Sequence, residues 1–321
     1  MNGSELGTRA MRVASVVLLV VLLILPSSFT PASLKAAPAG PPELRYIDVH
    51  AHLLKDWEIA VRQGGSPPPP GTPPCSRASA VASALSVMDQ LGIEQSVIMP
   101  TANPDAVNFP CDHESLTTIV SEHPDRVAFL GGAATLMPLF FTNGTASEFE
   151  AKALAVLRDG AHGFGEMTAE HFSLQPDHPY VNVSPDHPLF LLLADIAARY
   201  DVVIDLHMEA IPFNMQFPFP QPEPPNARPN PPNLTANIEA FERLLAHNRK
   251  ARIVWDHAGW DLTGQLTVDL MRRLLAAHSN LYMNIKISRS SLGSGNFLGP
   301  NSPLDPVDSN YRLSLEWLAL L

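Results

Sequence analysis

His50 and His52 stand two apart in Tyr46-Ile47-Asp48-Val49-His50-Ala51-His52-Leu53, an apolar run with the alternation of a strand. Side chains two apart on a strand share a face, so both imidazoles point the same way. Two neutral imidazoles side by side suit a divalent cation such as zinc; they also suit a polar pocket that holds no ion. More ligand-type residues follow. Glu166 lies in Gly163-Phe164-Gly165-Glu166-Met167 and His207 in Val203-Ile204-Asp205-Leu206-His207-Met208-Glu209. His257 lies in Ile253-Val254-Trp255-Asp256-His257-Ala258-Gly259. Each falls near the end of a β-rich run. Four of the twelve histidines of the chain at such ends, beside a carboxylate, are hard to attribute to packing alone.

The elements that would have to position them alternate in type. Strand-like runs cover 44–50, 94–99, 126–132, 161–167, 202–208, 252–257 and 280–286. Helical runs cover 79–91, 114–123, 147–158, 188–199, 235–248, 262–278 and 311–321, with apolar residues three and four apart in most of them. Strict alternation is the mark of a parallel sheet and an α/β fold. It predicts a TIM (β/α)8 barrel, truncated before its eighth strand, which falls due beyond Leu321. In such a barrel His50, His52, Glu166, His207 and His257 would meet at one rim, where side chains distant in sequence converge.

The 32 prolines are about twice the usual share. They cluster at 66–74 and 217–225, both after predicted strands, and so on the face where barrel active sites form. Phe213, Met215, Phe217 and Phe219 give the second cluster an apolar character suited to a pocket rim. Lys286 ends the last predicted strand and shares parity with Asn284. Facing inward it could hold a substrate carboxylate; otherwise it is a surface lysine. Asp48 shares the histidine face one step deeper, placed to fix a tautomer or to satisfy buried backbone. His113, His123, His162, His171, His178, His187, His247 and His278 fall in loops, helices or strand starts and are expected to be solvated.

Composition bounds the rest. A formal charge of −11 argues against nucleic acid as the main partner, since phosphate neutralisation needs Lys and Arg. Arg9 and Arg12 precede the apolar stretch from Val13 to Leu25, which Pro26 closes. That stretch is shorter than the roughly 20 residues a membrane-spanning helix requires. Residues 1–39 therefore read as a signal peptide, with Ala37-Pro38-Ala39 as a cleavage site and residues 40–321 as the functional domain. The product would be secreted or periplasmic, with no stable membrane span. In that compartment Cys75 and Cys111, both in predicted loops, are expected to form a disulfide; two free thiols are the alternative.

The ordered segments Asp48-Val49-His50-Ala51-His52, Gly165-Glu166, Asp205-Leu206-His207 and Trp255-Asp256-His257-Ala258-Gly259 resemble the metal-dependent amidohydrolase superfamily, in particular its amidohydrolase-related branch. The resemblance covers residues 44–321. It implies one or two divalent ions, zinc foremost, with His50, His52 and His207 as ligands. It gives His257 either a second ion or the substrate, and the moving of a proton. Many relatives carry a modified lysine on the fourth strand; here Glu166 stands there, as in members where a glutamate bridges two metals. The family's eighth-strand aspartate has no counterpart before Leu321, and Asp305 and Asp308 fall on a loop.

The reaction implied is hydrolysis of a C–O or C–N bond in a small lactone, ester or amide. Non-oxidative decarboxylation is the alternative inside the family. An inactive, metal-binding remnant is the alternative outside it. The sequence leaves the oligomeric state open.

Overall fold

The computed structural model describes residues 46–56, 59, 75–101, 111–142, 144–174, 179–220, 228–258, 262–285 and 315–320. The proposed signal peptide, the first proline cluster, Lys286, Asp305 and Asp308 lie outside the described residues.

The strands are β1 (Tyr46–Ala51), β2 (Ile93–Ile98), β3 (Val127–Phe129), β4 (Gly131–Gly132), β5 (Gly163–His171), β6 (Val181–Asn182), β7 (Val203–Met208), β8 (Met215–Gln216), β9 (Asn233–Leu234), β10 (Arg252–Ala258) and β11 (Leu281–Ile285). The helices are α1 (Ala78–Leu91), α2 (Glu114–Glu122), α3 (Ala133–Phe141), α4 (Ala146–Arg158), α5 (Pro188–Tyr200), α6 (Ile238–His247), α7 (Val268–Ala277) and α8 (Leu315–Leu318). No helix among the described residues is long and apolar enough to cross a membrane.

The main strands run parallel and are singly wound; β6 pairs antiparallel with β5, and β8 pairs antiparallel with β9. β1, β2 and β3 pair in that order; β4, β5, β7, β10 and β11 pair in that order. Only Leu130 separates β3 from β4, and its N–H donates to the Ile98 carbonyl (3.0 Å), so the predicted strand 126–132 is one row with a break. The break arises because Gly131 and Gly132 swing the chain from β2 towards β5; Gly132 adopts a left-handed φ of 98°.

The rows do not lie flat. Four strand intervals of about 4.8 Å would separate β1 from β7 by about 19 Å in a flat sheet. Instead His50 on β1 touches Asp205 on β7 at 3.1 Å. The sheet is therefore curled, with a polar inner face. On β7, Asp205 and His207 face inward while Ile204 and Leu206 pack against the helices in the main core. No pairing joins β11 to β1 among the described residues, so in place of the expected closed barrel they form a curled α/β parallel wall.

Local chemistry sets the helix ends. Gly92, at φ 70°, stops α1. Thr145 accepts from the Glu148 N–H to begin α4, and Thr267 accepts from the Leu270 N–H to begin α7. The predicted helix 262–278 thus starts later, at the Thr267 cap. Helix α3 was not legible in the sequence: it contains Pro138 and is apolar all round, because it is buried rather than half-exposed. The predicted helix 311–321 is described only as α8, which seats Trp317 in the core. Phe164, Phe190, Phe241 and Trp255 are fully buried in that core, and each contributes roughly 1.5–3 kcal/mol by leaving water. The Cys75–Cys111 disulfide is formed, with Cα atoms 5.4 Å apart.

Candidate metal centre

The glycines of Gly163-Phe164-Gly165-Glu166 explain how Glu166 enters the curl. A Cβ at Gly163 would lie 2.3 Å from the Val203 carbonyl oxygen, and one at Gly165 would lie 2.9 Å from the Asp205 Cβ. Without side chains there, β5 can approach β7 closely enough to set Glu166 against His207. The Glu166 N–H also donates to the Pro100 carbonyl at 3.1 Å.

Glu166 occupies the middle of the cluster. Its Oε2 lies 3.2 Å from His52 Nε2, and its Oε1 lies 2.7 Å from His207 Nδ1 and 3.2 Å from His257 Nε2. His50 Nε2 faces His52 Nε2 at 3.1 Å. Ligand atoms thus gather in two sets that share Glu166: His50, His52 and Glu166, and Glu166, His207 and His257. All five residues named from the sequence come together, but His207 is grouped with Glu166 and His257 and not, as the resemblance implied, with His50 and His52 around one ion. Lys286 lies outside the described residues.

The outer nitrogens of the rings are pinned. His52 Nδ1 meets the Met99 carbonyl at 2.9 Å, and a carbonyl only accepts, so Nδ1 carries the hydrogen. His50 Nδ1 lies 3.1 and 3.2 Å from the two oxygens of Asp205, and 3.5 Å from Asp256 Oδ1, so it too is the donor. Neutral rings would then aim two lone pairs at each other across 3.1 Å, with Glu166 Oε2 beside them. Such a set is stable only with positive charge in its midst. Tetrahedral zinc, with bonds of about 2.0–2.1 Å, separates its ligands by roughly 3.3 Å. The 3.1 and 3.2 Å separations among His50, His52 and Glu166 fit a divalent ion, whereas the 2.7 Å approach of Glu166 to His207 Nδ1 is that of a hydrogen bond.

The titration behaviour follows. Burial disfavours a charged His50, but Asp205 and Asp256 outweigh it and hold the ring well above its ordinary value. Burial likewise opposes charge on His207, yet Glu166 and Glu209 raise it to about 9. Burial would push Glu166 up; the imidazoles of His207, His257 and His52 around it hold it well below the carboxylate range. Burial and the charge of Asp256 push Asp205 far up, whereas Asp256, though buried, is held low by His50 and Asp205. Burial raises Asp48 to about 6, against the His50 backbone N–H, the charge of His50 and the Ser96 hydroxyl, which lower it.

Several members of this cluster escaped sequence reasoning. Asp205 and Asp256 brace His50, and Asn284 hydrogen-bonds both Asp256 and the His257 backbone N–H. Glu209 Oε1 lies 3.5 Å from His207 Nε2. A signal was present: Asp205-Leu206-His207 repeats the spacing of Asp48-Val49-His50, which sets an aspartate one step deeper on the histidine face. His171, expected in solvent, packs its ring 4.9 Å from that of His207. Beside it, burial pushes Glu170 up to about 8 despite donors from Tyr180 and Asn182. Two other histidines expected in solvent, His113 and His278, are buried. Carboxylates draw them in: Asp159 lies 3.1 Å from His113, and Glu242 lies 3.6 Å from His278. His178 lies outside the described residues.

The loops after β5, β7 and β10 form a separate apolar cluster of Phe172, Ile211, Leu234 and Leu262. Met215, Phe217 and Phe219 pack on it, whereas Phe213 is exposed. It follows the carboxyl ends of β5, β7 and β10 in the chain.

No known family profile and no curated protein matches the sequence. Solved structures similar at low identity include three enzymes or assigned enzymes. A protein assigned as a 2-pyrone-4,6-dicarboxylic acid hydrolase from Acinetobacter baumannii is 12% identical, with a TM-score of 0.41, covering 77% of this chain and 74% of that one. An assigned amidohydrolase from Staphylococcus aureus is also 12% identical, with a TM-score of 0.38 and 74% of each chain covered. 4-Oxalomesaconate hydratase from Rhodopseudomonas palustris is 10% identical, with a TM-score of 0.42, covering 85% of this chain and 87% of that one.

Proposed function

We propose that the chain is a metal-dependent hydrolase of a C–O or C–N bond in a small lactone, ester or amide. On this reading it is an amidohydrolase-related enzyme whose curled wall is part of a (β/α)8 barrel. The observation that carries the reading is Glu166, seated between two histidine pairs with one oxygen towards each. His50, His52 and Glu166 would hold one ion; His207 and His257, sharing Glu166, would hold a second. Zinc suits imidazole and carboxylate ligands at these separations. When bound, the ion supplies a Lewis acid that polarises a carbonyl and makes water acidic near neutral pH.

The residues of the chain do the rest. Asp205 and Asp256 keep the hydrogen of His50 on Nδ1, which turns its Nε2 inward. The Met99 carbonyl does the same for His52. With the second position empty, His257 Nε2 is placed to carry a proton to the departing atom. The loop cluster around Phe172 and Phe217 offers an apolar wall that would exclude water from the substrate. The Cys75–Cys111 disulfide supports an oxidising compartment, in keeping with residues 1–39 as an export signal.

The test combines elemental analysis with turnover of lactone, ester and amide substrates. At least one equivalent of a divalent metal is expected. Removal with a chelator should abolish activity, re-addition should restore it, and His207→Ala should be inactive. Activity that survives both chelation and His207→Ala would end the reading.

A further inference from the structure

We propose that Asn284 is a positioning residue that ties the two halves of the histidine–carboxylate cluster together. The proposal rests on the metal-centre reading above. Asn284 lies on β11 and is 1% exposed. Its Oδ1 accepts the backbone N–H of His257 at 2.8 Å, and its Nδ2 donates to Asp256 Oδ1. The amide orientation is fixed chemically, because a backbone N–H needs an oxygen and a carboxylate needs a donor.

Both contacts meet a specific structural need. Consecutive residues on a strand point to opposite faces. Here Asp256 reaches His50 and its neighbour His257 reaches Glu166, both on the inner face. The chain achieves this by placing His257 at φ 62°, a left-handed conformation uncommon for a residue with a bulky side chain. The ladder between β10 and β11 shifts register between Trp255 and Ala258, and the His257 N–H bonds the Asn284 side chain at that shift. One amide thus supports the unusual backbone that aims His257 at Glu166. It also orients the carboxylate behind His50. The first contact serves the His207–His257 half and the second serves the His50–His52 half.

The experiment is a zinc titration of the purified full chain against a chromophoric chelator, at fixed pH, with Asn284→Leu and Asn284→Asp. Leucine removes both contacts at similar volume. Aspartate keeps an acceptor for His257 but places a carboxylate against Asp256. Both variants should lose zinc affinity by about 10–100-fold, the range for residues that orient metal ligands. Melting of each metal-free variant is followed alongside. A structural role alone would lower the melting midpoint and leave the zinc affinity of the folded fraction unchanged, which overturns the proposal. If Asn284→Leu does not fold, unchanged affinity in Asn284→Asp overturns it equally. His207→Ala separates the two readings. If His207→Ala loses zinc and the Asn284 variants do not, the positioning role fails alone. If the unmodified chain binds no zinc, the metal-centre reading fails and this proposal falls with it.

Discussion

Glu166 is a buried anion whose charge is stabilised by three imidazoles. Removing that charge should therefore loosen all of them. Glu166→Gln keeps the shape but offers an amide where each histidine pair needs a carboxylate oxygen. The expected outcome is a loss of metal affinity of about a hundredfold or more, beyond what orienting residues contribute, read by elemental analysis after dialysis. Proton competition gives a second outcome. His207 is held protonated up to about 9, and a metal ligand must give up that proton. Affinity should therefore rise with pH towards 9, and binding near neutral pH should release protons. Calorimetry in two buffers of different ionisation enthalpy measures the release; equal heats would contradict it.

Between elements, close approach and charge decide stability. At Gly163 an added Cβ would meet the Val203 carbonyl at 2.3 Å, and a backbone atom cannot swing aside. Gly163→Ala should destabilise the chain by about 1–3 kcal/mol by forcing β5 from β7, measured by chemical denaturation. His113 gives a pH signature. It begins α2 and reaches Asp159 at the end of α4. Burial opposes its charge, but Asp112 and Asp159 raise it to about 9. An unfolded histidine titrates near 6.5, so the raised value contributes stability fully present below about pH 6.5. That contribution is lost as pH rises through about 9. The melting midpoint should fall over this window, and His113→Gln should flatten the fall.

For the molecule as a whole, the Cys75–Cys111 bridge spans a sequence separation of 36 residues. It joins the segment before α1 to the segment before α2, next to the buried Arg77 that bonds the Leu53 and Cys75 carbonyls. Chain entropy puts its contribution at about 3–4 kcal/mol. Denaturation with and without reductant should differ by that amount, and Cys75→Ala with Cys111→Ala should match the reduced form.

Glu166, expected near the end of a strand over 161–167, instead lies inside β5, which runs on to His171. The sequence by itself determined the alternation of strand and helix, and the strand ends that carry His50, His52, His207 and His257. These are local properties: a period of two or of three to four, and a polar residue closing an apolar run. It also carried the compartment argument for the disulfide that is formed. Only the tertiary structure decided what surrounds those ligands. Asp256 and Asn284 read as ordinary polar residues inside apolar strands, and the spacing of Asp205 from His207 does not name His50 as its partner, because nothing local says that β1 will curl onto β7 and β10. Likewise the left-handed turn at His257 has no signature in its own residue type. It follows from one strand having to send two neighbouring side chains to the same face, a demand that exists only once the sheet has curled.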